Sequence, residues 1–249
     1  MAGHSKWSQI KRKKGATDVK RGQLFSKLSK EIQVAAKLGG GDPSLNARLR
    51  TAISAAKSES MPSDNIERAI LKGTGELEGA AAYEELVYEG YGPDGIAVLV
   101  ETMTDNKNRS AAEIRSIFNK NNGSLGAPGS VAWMFERKAY FYLENTDEET
   151  VFEITVDAGA EDIKPDEHGG VEVFCPVDAY DKVEKALTHA GLVPKIAKLS
   201  HFPKDESTIS DESAAKALKL IETLDDHDDI QNVYSNLSLS DELLEKLSS

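Results

Sequence analysis

The stretch Tyr83–Thr104, YEELVYEGYGPDGIAVLVETMT, is where the periodicity of this chain changes. Its apolar residues alternate or run together on either side of Gly92-Pro93-Asp94-Gly95, which reads as two strands joined by a turn. Upstream, apolar residues recur every three or four positions instead. Asp18 is placed to cap a helix running to about Leu38, with Phe25, Leu28, Ile32 and Ala36 on one face and Gly39–Gly41 as the stop. Asp42-Pro43 reads as a second helix start, with Leu45, Leu49, Ile53 and Ala56 as its buried stripe. Pro62-Ser63 opens a third helix with Ile66, Ala69 and Ile70 inward, closed by Gly73-Thr74-Gly75.

Downstream, NRSAAEIRSIFNKNNG reads as a helix with Ile114, Ile117 and Phe118 inward, and SVAWMFERKAYFYLEN as a strand. A helix (EETVFEITVDAG), a hairpin around His168-Gly169-Gly170, a helix (DAYDKVEKALTHAG) and a strand (KIAKLSHF) follow. From about Arg137 to Pro203 the order is β-α-β-β-α-β, that of a two-layer ferredoxin-like sandwich. A final helix (DESAAKALKLIETLDDHDD) and strand (IQNVYSNLSL) complete the sheet begun at residue 80. The expected fold class is therefore α+β. A three-helix domain over 1–79 precedes two ferredoxin-like α+β domains, the one over 137–203 inserted in the one formed by 80–136 and 204–249.

Charge divides along the same lines. The 249-residue chain has a formal net charge of -12, yet residues 1–40 hold ten cations: Lys6, Lys11, Arg12, Lys13, Lys14, Lys20, Arg21, Lys27, Lys30 and Lys37. Only Asp18 and Glu31 oppose them there. Residues 1–79 carry +7 and the rest -19. A cationic end on an acidic chain is a statement about partners, and phosphate is the first to consider. Lys20, Lys27, Lys30 and Lys37 lie opposite the apolar stripe of the first helix, and Lys11–Lys14 form a cluster. Arg48, Arg50 and Arg68 add planar donors. Trp7 can stack on a base or pin the arm to the helical core. A membrane surface is a poorer partner, because closing a three-helix core uses the apolar stripe.

Thr104–Ser110, TDNKNRS, precedes a helix, so Asn106, Lys107, Asn108 and Arg109 form a second candidate anion site, with a plain helix cap as the alternative. The loop Asn121–Ser130 is long for a helix-to-strand link and reads as a contact loop. Catalytic patterns are missing from the sequence: no P-loop, no GxSxG, no HExxH, and histidines (His4, His168, His189, His201, His227) without ligand spacing. Asp225–Asp229, DDHDD, offers oxygen ligands to a divalent cation, but successive residues at a helix end point apart, so a solvated acidic turn is preferred. Tyr140 and Tyr142 share a strand face, with Phe174 on the same sheet. The -7 of residues 137–203 favours ordinary packing or a protein contact over base stacking there. Cys175, the single cysteine, reads as a half-buried strand thiol and fits a reducing cytoplasm. No secretory signal or membrane span is expected, and the Lys-rich start runs straight into helices, unlike a presequence.

Six motifs in order, MAGHSKW, KLGGGDPSLNARLR, MPSDNIERAI, YEGYGPDG, DNKNRSAAEIRSIF and GSVAWMF, resemble the YebC family, which includes mitochondrial translational activators. The resemblance covers essentially the whole chain and is strongest before residue 136. It implies a helical first domain and two α+β domains, the third inserted in the second. It also implies a bacterial cytoplasmic protein and no catalytic residue. Bacterial members carry the label of DNA-binding transcriptional regulators; related members associate with ribosomes and help synthesis through proline-rich stretches. Leu71 stands where a lysine is common, removing one phosphate contact. The expectation is a non-enzymatic, cofactor-free nucleic-acid-binding regulator of gene expression. The alternative is a translation factor on ribosomal RNA, its acidic domains meeting the ribosome or the transcription machinery. A metal-dependent enzyme using Asp225–Asp229 is the distant third.

Overall fold

The structure, a computed structural model, describes residues 18–79, 82–166, 169–239 and Leu243, with Asp18 and Val19 described in backbone only. The chain divides into two compact units. One takes the described residues up to Ala52, Met61–Phe135 and those from Pro203 onward; the other takes Ile53–Ser60 and Glu136–Phe202.

The chain begins with α1 (Asp18–Gly39), α2 (Ala47–Ser58) and α3 (Ser63–Thr74); α1, α3 and the start of α2 up to Ala52 belong to the first unit. Helix α1 buries Ile32, Ala35 and Ala36, and α3 contributes Ile66 and Ala69. The two helices meet at Gly73, where a Cβ would lie 2.4 Å from the Gln33 carbonyl oxygen, so only glycine permits this approach. Gly75, at φ 82°, ends α3 in the left-handed conformation.

The second helix starts later than Asp42-Pro43 suggests. Asp42 Oδ1 instead accepts the Ser44 N–H at 2.8 Å and its hydroxyl at 2.7 Å, closing a local turn. The cap is Asn46, whose Oδ1 accepts the Leu49 N–H at 3.1 Å. Its Nδ2 donates to the carbonyls of Ala35 and Gly40, both at 2.8 Å. Leu45, expected in the stripe, is 85% exposed as a result.

Strands β1 (Glu84–Tyr91) and β2 (Ala97–Thr104) form the expected hairpin, with Tyr91 opposite Ala97 and Glu84 opposite Thr104. A short 3-10 turn, Pro93–Gly95, joins them. Helix α4 (Lys107–Lys120) leads to β3 (Ser124–Leu125), and after the excursion through the second unit come β8 (Ser207–Thr208), α7 (Asp211–Asp225) and β9 (Ile230–Ser235). The sheet order is β3-β1-β2-β9, antiparallel at every pairing. Its even-numbered β2 residues Val98 and Val100 pack with Ile114 and Phe118 of α4 and Leu218, Ile221 and Leu224 of α7. Its odd-numbered ones, Ala97 and Leu99, pack with Val131, Phe135 and Tyr234. Both sheet faces are thus covered at β2, which explains its nearly unbroken apolar run. The stretch Ser130–Met134, expected as strand, is instead a loop ending in a 3-10 turn, and strand begins at Phe135. The Lys204 N–H donates to the Met134 carbonyl at 2.9 Å, so the chain leaves this unit and returns to it at one place.

The second unit runs β4 (Phe135–Leu143), α5 (Glu148–Thr155), β5 (Asp162–Pro165), β6 (Val171–Pro176), α6 (Tyr180–His189) and β7 (Ile196–Pro203). The order β5-β6-β4-β7, with β6 antiparallel to both neighbours, is the ferredoxin-like arrangement that the element sequence predicts. Ala139, Phe141, Val173 and Cys175 face the helical residues Val151, Val183 and Leu187. Cys175 is fully buried rather than half-buried, and burial pushes its thiol up to about 11. On the other face Tyr140, Phe174 and Phe202 pack ring against ring, with centroids 5.1 to 5.8 Å apart. Tyr140 and Phe174 are 7% and 2% exposed, so these rings are packed and offer no stacking platform.

Candidate nucleic-acid interface

Positions 20, 23, 27 and 30 recur at helical spacing and share one face of α1. All four side chains reach the end of α7 and the turn after it. Lys20 Nζ lies 3.9 Å from Asp226 Oδ1, and Gln23 Nε2 donates to the Asp226 carbonyl at 3.2 Å. Lys27 Nζ donates to the Asp225 carbonyl at 2.5 Å and stands 3.8 Å from that residue's carboxylate. Lys30 Nζ donates to the Asp228 carbonyl and to Asp229 Oδ1, both at 2.9 Å. The carbonyls at a helix C-terminus lack intrahelical partners and carry the negative end of the macrodipole, so ammonium groups belong there.

Asp229 is the fixed point of this cluster. Its Oδ2 accepts from Arg109 at 2.8 Å, Ser110 Oγ at 2.8 Å and Thr104 Oγ1 at 3.1 Å, while Oδ1 takes Lys30. Burial alone would raise its pKa, but the hydrogen bonds from Arg109, Lys30 and Ser110 outweigh that and hold the carboxyl well below the usual range. Beside it, His227 Nδ1 accepts the Asp229 N–H at 3.1 Å and Nε2 meets Glu113 at 2.8 Å. One expectation needs correction here: the run Asp225–Asp229 is not wholly a solvated turn, since Asp229 is 5% exposed. Lys30, named among the candidate cations opposite the apolar stripe, is itself 8% exposed. Each sits where its partner comes from far away in the chain, so neither local pattern reports the burial.

The other expected cations are dispersed. Lys37 and Arg68 are exposed, and the Arg21 guanidinium lies 5.5 Å from the Phe25 ring centroid. Arg48 is bonded to Glu31 at 2.8 Å and to Glu85 at 2.6 Å, and hydrogen bonding to Glu85 leads in raising its pKa. Arg50 donates to the Pro43 carbonyl at 3.0 Å. Lys6, Trp7, Lys11, Arg12, Lys13 and Lys14 lie outside the described residues.

At the second candidate site, Asn106 is the N-cap of α4, its Oδ1 accepting the Arg109 N–H at 3.1 Å. Arg109 spans Asp105 and Asp229, Lys107 stands 3.8 Å from Glu84, and Asn108 is exposed. The geometry is that of a cap whose cations already face carboxylates. Between α1 and α4, above the turn, a cleft of about 980 Å³ is lined by Gln23, Ser26, Arg109, Lys120 and His227 among others. Among the described residues no group of three or more His, Cys, Asp or Glu is placed to hold a metal ion. No described helix is long and apolar enough to cross a membrane.

The loop flagged at Asn121–Ser130 is organised by a residue the sequence did not single out. Glu89, 7% exposed, accepts the N–H groups of Gly129, Val131 and Ala132 at 2.6, 2.7 and 2.7 Å. Burial raises its pKa, but these three amides outweigh burial and the net shift is downward. The Ser130 carbonyl accepts from Tyr91 Oη and Trp133 Nε1, both at 3.0 Å, which fixes a Trp133 that is 66% exposed. A glutamate in a strand facing three amides has no local signature. Gln23 and Asp225 were also missed as partners, although a lysine stripe and an aspartate run in one chain are complementary in charge.

Comparison with known proteins agrees with this architecture. Residues 5–76 match the TACO1/YebC protein N-terminal domain, and residues 83–237 the TACO1/YebC second and third domain. A relative in Desulfatibacillum aliphaticivorans, called a "Probable transcriptional regulatory protein", is 55% identical over 98% of this chain and 99% of its own. A relative in Syntrophus aciditrophicus with the same description is 52% identical over the full length of both. The crystal structure of a conserved hypothetical protein from Aquifex aeolicus, 43% identical, superposes with a TM-score of 0.82 over 90% of this chain and 93% of that one. Matched by both family models and by relatives along its whole length, the chain belongs to the TACO1/YebC family.

Proposed function

We propose that the protein is a non-enzymatic regulator of gene expression that works in the cytoplasm by binding nucleic acid through residues 1–79. The observation that carries this reading is the charge partition: +7 over residues 1–79 against -19 over the rest. Relatives named as regulatory proteins support the regulatory part. Cations here meet phosphate, which positions a protein on nucleic acid without reading its sequence. The remaining residues, 80–136 with 204–249 and the insertion 137–203, serve protein contacts. Their -19 opposes wrapping along a duplex, and it favours a second reading in which the partner is ribosomal RNA with ribosomal proteins at the acidic surface.

The test is the salt dependence of binding. The logarithm of the association constant falls by about 0.9 per contacted phosphate on a duplex, per tenfold rise in salt, and by about 0.7 on single strands. Five contacts therefore give a duplex slope of about -4.5. A flat response would mean that the cations are only a solvated face. Crosslinking in cells, followed by sequencing of the bound nucleic acid, then separates DNA from ribosomal RNA.

A further inference from the structure

The stripe Lys20, Gln23, Lys27 and Lys30 does not end in solvent; it ends on an anionic surface supplied by the same chain. That surface is a row of carbonyls and carboxylates from Asp225 to Asp229, met at successive turns of α1. Its two ends differ in kind. At the inner end, Lys30 and Asp229 are 11% and 7% exposed in their side chains, and Arg109, Ser110 and Thr104 share the carboxylate. At the outer end, Lys20 and Asp226 are 49% and 51% exposed at 3.9 Å, a pair that solvent and salt screen. Lys27 and Asp225, at 13% and 22%, stand between.

We infer that Asp225 and Asp226 act as an internal competitor for phosphate, masking the outer part of the α1 stripe until a polyanion displaces them. Lys30 stays seated on Asp229 and keeps α1 anchored to the sheet. The inference rests on the nucleic-acid reading given above and adds to it which cations are gated and by what. A phosphodiester backbone suits the exchange. Its charges repeat along a line, as the acceptors of the turn do along α1, and each ammonium trades one oxygen partner for another. The masking also sets a threshold. An isolated anion competes poorly against acceptors held in place, whereas a polyanion meets Lys20 and Lys27 together.

The experiment is a double-mutant cycle in the full chain, with a 20-base-pair DNA duplex and a single-stranded RNA as probes at low salt. Asp225→Asn with Asp226→Asn is expected to tighten binding about fivefold, the size two partly exposed ion pairs allow. Glu153→Gln with Asp157→Asn, exposed acids of the second unit, controls for the general loss of negative charge. In a Lys20→Ala, Lys27→Ala background the asparagine changes are expected to gain no more than that control pair. A gain no larger than the control in the wild-type background, or one that persists without the two lysines, overturns the competition while leaving nucleic-acid binding intact. If neither the wild type nor the asparagine variant binds either probe, the nucleic-acid reading itself fails and the competition falls with it. Melting of every variant is measured alongside; a Tm within a few degrees of the wild type is expected, because Lys30–Asp229 is untouched.

Discussion

Asp229 and Glu89 are both buried carboxylates of the first unit, and they are satisfied in opposite ways. Asp229 is held by side chains from three distant elements, two of them cations: Lys30, Arg109, Ser110 and Thr104. Glu89 is held by three backbone amides of a single loop, those of Gly129, Val131 and Ala132. One carboxylate neutralises charge and joins α1 to the sheet; the other is solvated by dipoles and shapes a loop. Removing the first strands the buried Lys30 and leaves the exposed Arg109 with Asp105, whereas removing the second strands amides. The two losses therefore differ in size and in where they are felt.

Asp229→Ala gives the largest effect. Lys30, 8% exposed, would lose its carboxylate partner and keep the Asp228 carbonyl and the Tyr83 ring, and the expected loss is about 3 to 5 kcal/mol in unfolding free energy. Chemical denaturation checks it. A loss under about 1 kcal/mol, the range of surface pairs, would show that solvent reaches the site and that the pair is not the anchor.

Acid sharpens the comparison. The Asp229 carboxyl is depressed in the folded state, so its contribution is fully present above the unfolded carboxyl value of about 3.9 and is lost as pH falls through the lower folded value. The stability difference between the wild type and Asp229→Asn is thus expected to be constant above about pH 5 and to shrink on further acidification. Glu89 follows the same sign, being lowered too, so Glu89→Gln should show the same convergence. A difference that grows towards acid pH would contradict the assigned hydrogen bonds.

Glu89→Gln comes next in size. One oxygen now accepts from Gly129 and the other from Val131 and Ala132, so an amide NH2 would have to face at least one N–H donor. The expected cost is about 2 kcal/mol, concentrated in the loop. Hydrogen exchange at Gly129, Val131 and Ala132 should accelerate, with α1 unaffected. Acceleration spread evenly over the first unit would mean that Glu89 supports the sheet rather than the loop.

The same contrast explains what the sequence disclosed. Local periodicity revealed α1, the β1–β2 hairpin and the β-α-β-β-α-β order of the second unit, because each is set by spacing within about twenty residues. The start of α2 was misplaced because Asp42 and Asn46 both suit a cap. The choice between them is tertiary: Asn46 also bonds the Ala35 and Gly40 carbonyls, and a Cβ on Gly39 would lie 2.6 Å from its amide. Lys30 was grouped with the phosphate-facing cations and its ion pair went unread, since its partner stands 199 residues away and nothing in DVKRGQLFSKLSKEI announces it. Glu89 was invisible for the complementary reason: its partners are amides, which every residue but proline has. The family motifs carried the architecture well but named no contact.

The smallest expected effect is that of Lys20→Ala on stability, and it separates the roles of the stripe's two ends. Lys20 and Asp226 are about half exposed and 3.9 Å apart, so the pair's Coulombic gain is offset by ordering two side chains and is screened by salt. The change should shift unfolding free energy by no more than about 0.5 kcal/mol, an order of magnitude below Asp229→Ala. Binding should respond differently, since a cation that is easily released is also one available to phosphate. Losing it should weaken binding to all sequences alike and make the duplex salt slope shallower by about 0.9. A stability loss above about 1 kcal/mol would mean that the outer end is structural like the inner one, and the division of the stripe into an anchor and an exchangeable part would not hold.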